Sequence, residues 1–200
     1  MKYLKIIISL SLAVLMFSGF WDGKSDKQLK KEAKKERFLE RNKRLKVNNE
    51  TLQMLFKEVP EARKALLKSY GYATFSNVGA TVILFSYEGG DGVAHNNRNG
   101  QNTYMKMNSA GIGLGLGGKN FRSVFFFKNK KVYKEFIDSG WEANAQADAA
   151  ASYDESGGSS GGAVTVKDGV LLYKLTQDGL LVQATLQGTK YYKDEDLNGY

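Results

Sequence analysis

The sequence predicts an α+β fold: a curved or barrel-like antiparallel β-sheet with an N-terminal helical segment and one short internal helix. Three observations predict it. Lys24 to Tyr70 contains no glycine, whereas 20 of the 22 glycines lie at or beyond Gly71, so backbone preference divides the chain there. Ahead of that point apolar residues recur at three- and four-residue spacing. Beyond it, short β-branched and aromatic runs alternate with Asn-Gly and Asp-Gly turn signals.

The elements follow in order. Lys2 and Lys5 precede an apolar run from Ile6 to Phe17, too short for a spanning helix and suited to a signal peptide over residues 1–19, ending near Ser18 and Gly19. Asp26 is expected to cap a helix through Gln28, Leu29, Ala33, Phe38, Leu39 and Leu45. Residues 20–50 thus form a basic helical arm, followed by a domain over 51–200. A second helical stretch, Thr51 to Tyr70, carries Leu52, Leu55, Phe56, Val59, Ala62, Ala65 and Leu66, is interrupted at Pro60, and stops at Gly71.

Strands are expected from Tyr72. Ala80 to Glu88 turns back at Gly89 to Gly92 into Val93 to Asn97, and Asn99-Gly100 reads as a type I′ hairpin into Thr103 to Met107. Gly111 to Gly117 alternates glycine with Ile112, Leu114 and Leu116, and Gly118 to Asn120 returns the chain into Phe121 to Lys128. Both faces of that last strand are apolar and are expected to be covered. Lys130 to Ser139 is a short helix closed by Gly140. Ala143 to Ala149 alternates like a strand, Asp154 to Gly162 is a Ser/Gly loop, and Asp168-Gly169 and Asp178-Gly179 bracket Val170 to Thr176 and Leu180 to Tyr192.

Composition narrows the chemistry. The 200 residues are 42% hydrophobic and 25% charged, which suits one globular domain. With no cysteine there is no disulfide framework, thiol nucleophile, cysteine-ligated metal or lipoprotein anchor, and one histidine allows no multi-histidine cluster. No metal and no cofactor is expected. Of a formal charge of +8, a net +7 falls within Lys24 to Lys46, which holds 11 Lys or Arg against four acids. The two readings of that stretch are a solvated helix laced by Lys/Glu pairs and an electrostatic anchor for anionic lipid, each basic group near such a surface adding about 1 kcal/mol. The candidate lipid-binding residues are Lys30, Lys31, Lys34, Lys35, Arg37, Arg41, Lys43 and Arg44. Nucleic acid is not an expected partner, because the remaining chain lacks basic-aromatic interleaving.

Catalytic signals are thin. Gly113 to Gly118 satisfies G-x-G-x-x-G formally, but the strand formers Phe121 to Phe127 follow where a nucleotide site needs a helix. A glycine face approached closely by another element is the expected role. His95 reads as an ordinary hairpin residue. Ser156, Ser159 and Ser160 lack a G-x-S-x-G elbow. Glu88, Asp91, Asp148 and Asp154 read as charged turn residues rather than acid-base pairs. No catalytic residue is assigned.

The order of motifs resembles the SYLF lipid-binding family. Val59 to Asn77 is similar to the family's helix-to-strand opening. Glu88 to Val93, Gly111 to Gly118, Val124 to Asn129, Ala143 to Ala151 and Gly179 to Gly188 follow in the family's order, so the likeness covers about Thr51 to Asn198. It implies a non-enzymatic domain that binds membrane lipid, phosphoinositides in eukaryotic members and less defined phospholipids in bacteria. The basic arm precedes the matched region, and the loop Ser156 to Gly162 lacks the longer acidic or proline-bearing segment often seen. The family includes yeast actin-binding relatives and many exported bacterial proteins. Actin is not an expected partner of an exported protein. The expectation is peripheral binding of anionic phospholipid in the periplasm or after secretion, the alternatives being a periplasmic barrel holding a small apolar ligand and a hydrolase.

Overall fold

The computed structural model describes residues 25–82, 85–112, 117–143, 163–176, 179–181 and 189–199. The expected signal segment, residues 113–116 of the glycine alternation, most of the expected alanine-rich strand and the expected Ser/Gly loop lie outside them. The chain divides into two compact units, Met1–Glu36 and Arg37–Tyr200.

Helix α1 runs Asp26–Glu58. Ser25, not Asp26, begins it: the Gln28 amide donates to Ser25 Oγ at 3.4 Å while the Ser25 amide donates to Gln28 Oε1 at 2.9 Å, a reciprocal capping box. The expected break before Thr51 is absent. Asn48 and Asn49 are poor helix formers, yet Asn48 Oδ1 accepts from Thr74 Oγ1 at 2.8 Å and its Nδ2 donates to the Tyr72 hydroxyl at 3.3 Å. Those tertiary bonds override local propensity. The buried stripe of α1 is accordingly polar for most of its length, Arg44, Asn48 and Thr51 preceding Leu55.

Pro60 separates α1 from the short α2 (Ala62–Lys68). Ser69 rather than Gly71 closes α2, its amide donating to the Ala65 and Leu66 carbonyls, both at 3.1 Å. Gly71 instead opens the first strand.

The remaining elements are β1 (Gly71–Val82), β2 (Phe85–Asn96), β3 (Asn102–Ile112), β4 (Gly117–Phe127), α3 (Lys130–Ser139), β5 (Trp141–Ala143), β6 (Val164–Lys167), β7 (Val170–Thr176), β8 (Gly179–Leu181), β9 (Thr189–Lys193) and α4 (Glu195–Asn198). The strands form one antiparallel sheet in the order β5, β9, β3, β2, β1, β4, β7, β6, with β8 also paired to β7.

Two expected turns are strand interior. Gly89 to Gly92 lies within β2, opposite Val78 to Phe75, and Gly118 to Asn120 lies within β4, opposite Ala80 to Val78. Packing explains the first: a Cβ on Gly92 would stand 2.3 Å from Phe75 Cδ1 and 2.6 Å from the Thr74 carbonyl oxygen. Glycine is there because a ring and a backbone cross it, not because the chain reverses. The Asn99-Gly100 hairpin is present, but as a longer loop closed by the Asn96 amide on Gln101 O at 2.9 Å.

Ring distances show that the sheet curls. Phe125 on β4 and Tyr191 on β9 are four strand spacings apart, about 19 Å on a flat sheet at ~4.8 Å per strand. Their ring centroids lie 5.1 Å apart. Inside the curl, Phe75 and Phe125 meet Tyr191, and Phe127 packs on Tyr133 and Phe136 of α3, which close the layer. Asn129 caps α3 through the Val132 amide at 3.1 Å, and Gly140 ends it at φ 71°. On the opposite face, Leu55 of α1 and Ala62 of α2 pack on Tyr72, Val124, Phe126 and Tyr173. Strand β4 is therefore covered on both sides, as its composition requires.

Candidate functional site

The basic residues of α1 divide into two populations. Lys30, Lys31, Lys34 and Lys35 are exposed, Lys43 is 72% exposed, and Arg37 is partly exposed. Phe38 and Leu39, at 62% and 55% exposure, also face solvent. Basic, aromatic and aliphatic groups thus stand in water together along this helix.

Arg41 and Arg44 are held inside the second unit, which removes them from the exposed set expected from charge alone. Arg44, only 8% exposed, sets its guanidinium against Asp91 and Asp194, both at 2.8 Å, with Glu40 at 3.3 Å and the Met105 carbonyl accepting from Nη1 at 3.1 Å. Asp194 is 2% exposed and also meets Lys106 Nζ at 3.3 Å. Its carboxylate accepts from the Leu197 amide at 3.4 Å and so caps α4. Arg41 Nε donates to the Leu197 carbonyl at 2.9 Å, Nη2 donates to the same oxygen, and the guanidinium lies 5.6 Å from the Tyr104 ring centroid. Asn198 completes the end of the sheet, its Oδ1 accepting from the Tyr104 amide at 3.0 Å and its Nδ2 donating to the Tyr104 carbonyl at 2.6 Å. Arg41 and Arg44 therefore lock the C-terminal turn to β3.

Helix α4 and this lock were missed from sequence. Their signal is Asp194 followed by Glu195, Asp196 and a later Gly199, the pattern of an N-cap with an acidic first turn.

Two of the larger grooves are formed by described residues of the second unit. One, of about 250 Å³, sits between α1 and the β1–β2 pair, with the polar residues Arg44, Asn48, Thr74 and Asp91 among its walls. The other, of about 430 Å³, lies between α2, β4 and the β6–β7 hairpin. Its apolar part is Ala65, Phe126, Val170 and Leu171, and Lys68 and Lys128 stand at its edge.

The residues weighed for catalysis have structural occupations or lie elsewhere. His95 Nδ1 lies 2.7 Å from Asn102 Oδ1, and its ring tilts against Tyr72 at 5.2 Å. Asp91 is paired with Arg44. Asp148, Asp154, Ser156, Ser159 and Ser160 lie outside the described residues. Among the described residues no cluster of three or more His, Cys, Asp or Glu could hold a metal, and no helix is long and apolar enough to cross a membrane.

The perturbed titrations are mostly buried phenols. Burial raises the Tyr133 hydroxyl well above the ordinary tyrosine range, with Tyr70 adding to it and a hydrogen bond with Thr103 opposing. Burial also raises Tyr72, against its Asn48 bond, and Tyr104, against Arg41 and Arg44. Glu135 is lowered by its hydrogen bond from Lys167 at 2.7 Å and by that ammonium charge.

No protein-family model matches the chain. It is similar to Beta cell expansion factor A of Aeromonas veronii, 37% identical over 145 residues, which cover 72% of this chain and 53% of the relative. The chain thus spans about half the length of the curated relative it matches.

Proposed function

We propose that this chain is a SYLF-type domain that binds anionic phospholipid peripherally and without catalysis, at a bacterial cell envelope. The observation that carries the proposal is the exposure of Lys30, Lys31, Lys34, Lys35 and Lys43 within a stretch of net +7, with Phe38 and Leu39 exposed on the same helix. Each ammonium near an anionic surface contributes about 1 kcal/mol, and rings and aliphatic groups add apolar burial at the interface. The order of motifs from Val59 to Gly188 and the curled antiparallel sheet support the family assignment. An exported location rests on the basic-apolar start of the sequence.

The competing ligand-barrel reading has less to stand on. The described interior of the curl is filled ring against ring, with Phe75 and Phe136 each within 6.1 Å of neighbouring aromatic centroids. A hydrolase would have to recruit His95, whose Nδ1 is engaged by Asn102.

Vesicle co-sedimentation tests the proposal. Vesicles of phosphatidylcholine with phosphatidylglycerol should bring the protein down, and phosphatidylcholine alone should not. Binding should weaken as salt rises, since the screening length is about 8 Å at 0.15 M ionic strength. Equal binding to neutral and anionic vesicles would refute it.

A further inference from the structure

The groove between α2, β4 and the β6–β7 hairpin belongs neither to the basic arm nor to the Arg44 lock. We propose that it is a binding site for one molecule of a single-chain anionic amphiphile, an alkyl chain ending in a carboxylate or phosphate. At about 430 Å³ it falls within the ~300–1,000 Å³ of small-molecule sites. Its composition is divided in the way such a ligand requires. Ala65, Phe126, Val170 and Leu171 offer an apolar trough for the chain.

Lys68 and Lys128 stand at the edge as exposed ammonium groups, and neither forms an ion pair among the described residues. Some cations of the second unit are tied down, Arg44 by Asp194, Lys167 by Glu135 and Lys193 by Asp138, whereas these two border an apolar groove. Among the described residues Asp168 is the single carboxylate lining the groove, against the two lysines. Charge complementarity thus selects an anionic head, and the trough selects its tail. The walls are supported from behind, since Phe126 packs on Tyr173 at 5.4 Å and the Lys128 amide is bonded to Gly169 O at 2.9 Å. The site is therefore preformed, which limits the ordering cost of binding.

This inference is independent of membrane binding, and its test keeps them apart. Isothermal titration of the full protein with octanoate, decanoate and dodecanoate, each below its micelle concentration, should give one saturable site. Affinity should rise roughly three- to fourfold per added methylene. Dodecyl phosphate should bind as dodecanoate does, and uncharged dodecanol should bind at least tenfold more weakly. Lys68→Glu with Lys128→Glu should weaken dodecanoate at least tenfold at an unchanged melting temperature, because both side chains are exposed. Ala65→Phe, which fills the trough, should abolish binding. Absence of saturable binding, a flat chain-length series, or affinity indifferent to the lysine reversals would overturn the proposal, whatever the vesicle result.

Discussion

Arg44 and Lys43 are neighbours in the same basic stretch, and the structure gives them opposite tasks. Replacing each by methionine removes one positive charge and keeps a long unbranched side chain. For Lys43 the loss is a single contact to Glu40 at 3.5 Å from a side chain 72% exposed, worth no more than about 0.5 kcal/mol. For Arg44 the loss leaves Asp194, 2% exposed, without its 2.8 Å partner, and leaves the Met105 carbonyl without its donor. Removing one member of a buried pair costs about 3–5 kcal/mol. Here Lys106 still reaches Asp194 at 3.3 Å, and Asp91, 51% exposed, can return to water. The expected cost is therefore at the low end, about 3 kcal/mol. At ~2–4 °C per kcal/mol that lowers the melting temperature by roughly 6–12 °C for Arg44→Met and scarcely at all for Lys43→Met. Thermal melts followed by circular dichroism measure both. Adding Asp194→Asn to Arg44→Met should cost less than Asp194→Asn alone, because the stranded charge is gone. Equal melting of the two single variants would refute the assignment of Arg44 to the lock.

Gly92→Ala should destabilise the domain by about 3 kcal/mol in urea unfolding, the upper end of overpacking, because the Thr74 carbonyl that a Cβ would approach is backbone and cannot rotate away. Wild-type stability in that variant would mean that Phe75 is free to swing aside. Phe126→Asp, by placing a charge between Leu55 and Tyr173, should abolish cooperative melting, and a soluble, sharply melting variant would contradict the two-sided burial of β4. The raised phenols of Tyr72, Tyr104 and Tyr133 set an alkaline limit. The fold holds them neutral, so their stabilisation is full below the ordinary tyrosine value of 10.0 and is lost as pH rises through the folded values. Melting temperature should fall progressively above about pH 10 and fall less steeply in Tyr133→Phe, and a flat profile to pH 11.5 would contradict the burial.

What was legible in the sequence is what local chemistry decides. Helix α3 matches its expected span because Asn129 caps it, Gly140 ends it, and Tyr133 and Phe136 share one face. Strand β7 and the Asp168-Gly169 turn were equally local. The errors arose where distant residues set the local state. Gly89 to Gly92 looks like a turn until Phe75 is laid across Gly92. The boundary expected between residues 50 and 51 is absent because Tyr72 and Thr74 bond to Asn48 and carry the helix through two poor helix formers. Arg41 and Arg44 look like two more charges of a basic arm, since their partners Leu197 and Met105 lie 156 and 61 positions away. The large groove was invisible for the same reason, α2 and the β6–β7 hairpin being brought together only by β4.

On the proposed function the exposed lysines of α1 hold the protein on anionic lipid, while Arg41 and Arg44 hold the fold together. Deleting residues 24–46 would confound the two. Lys30→Gln with Lys31→Gln, Lys34→Gln and Lys35→Gln separates them, since all four side chains are exposed on the helix. The deciding measurement is the dissociation constant of this fourfold variant for phosphatidylglycerol-containing vesicles at 0.1 M salt, taken beside its melting temperature. Binding at least a hundredfold weaker is expected, from four contributions of about 1 kcal/mol reduced by screening, at an unchanged melting temperature. Undiminished vesicle binding by a normally folded variant would contradict it.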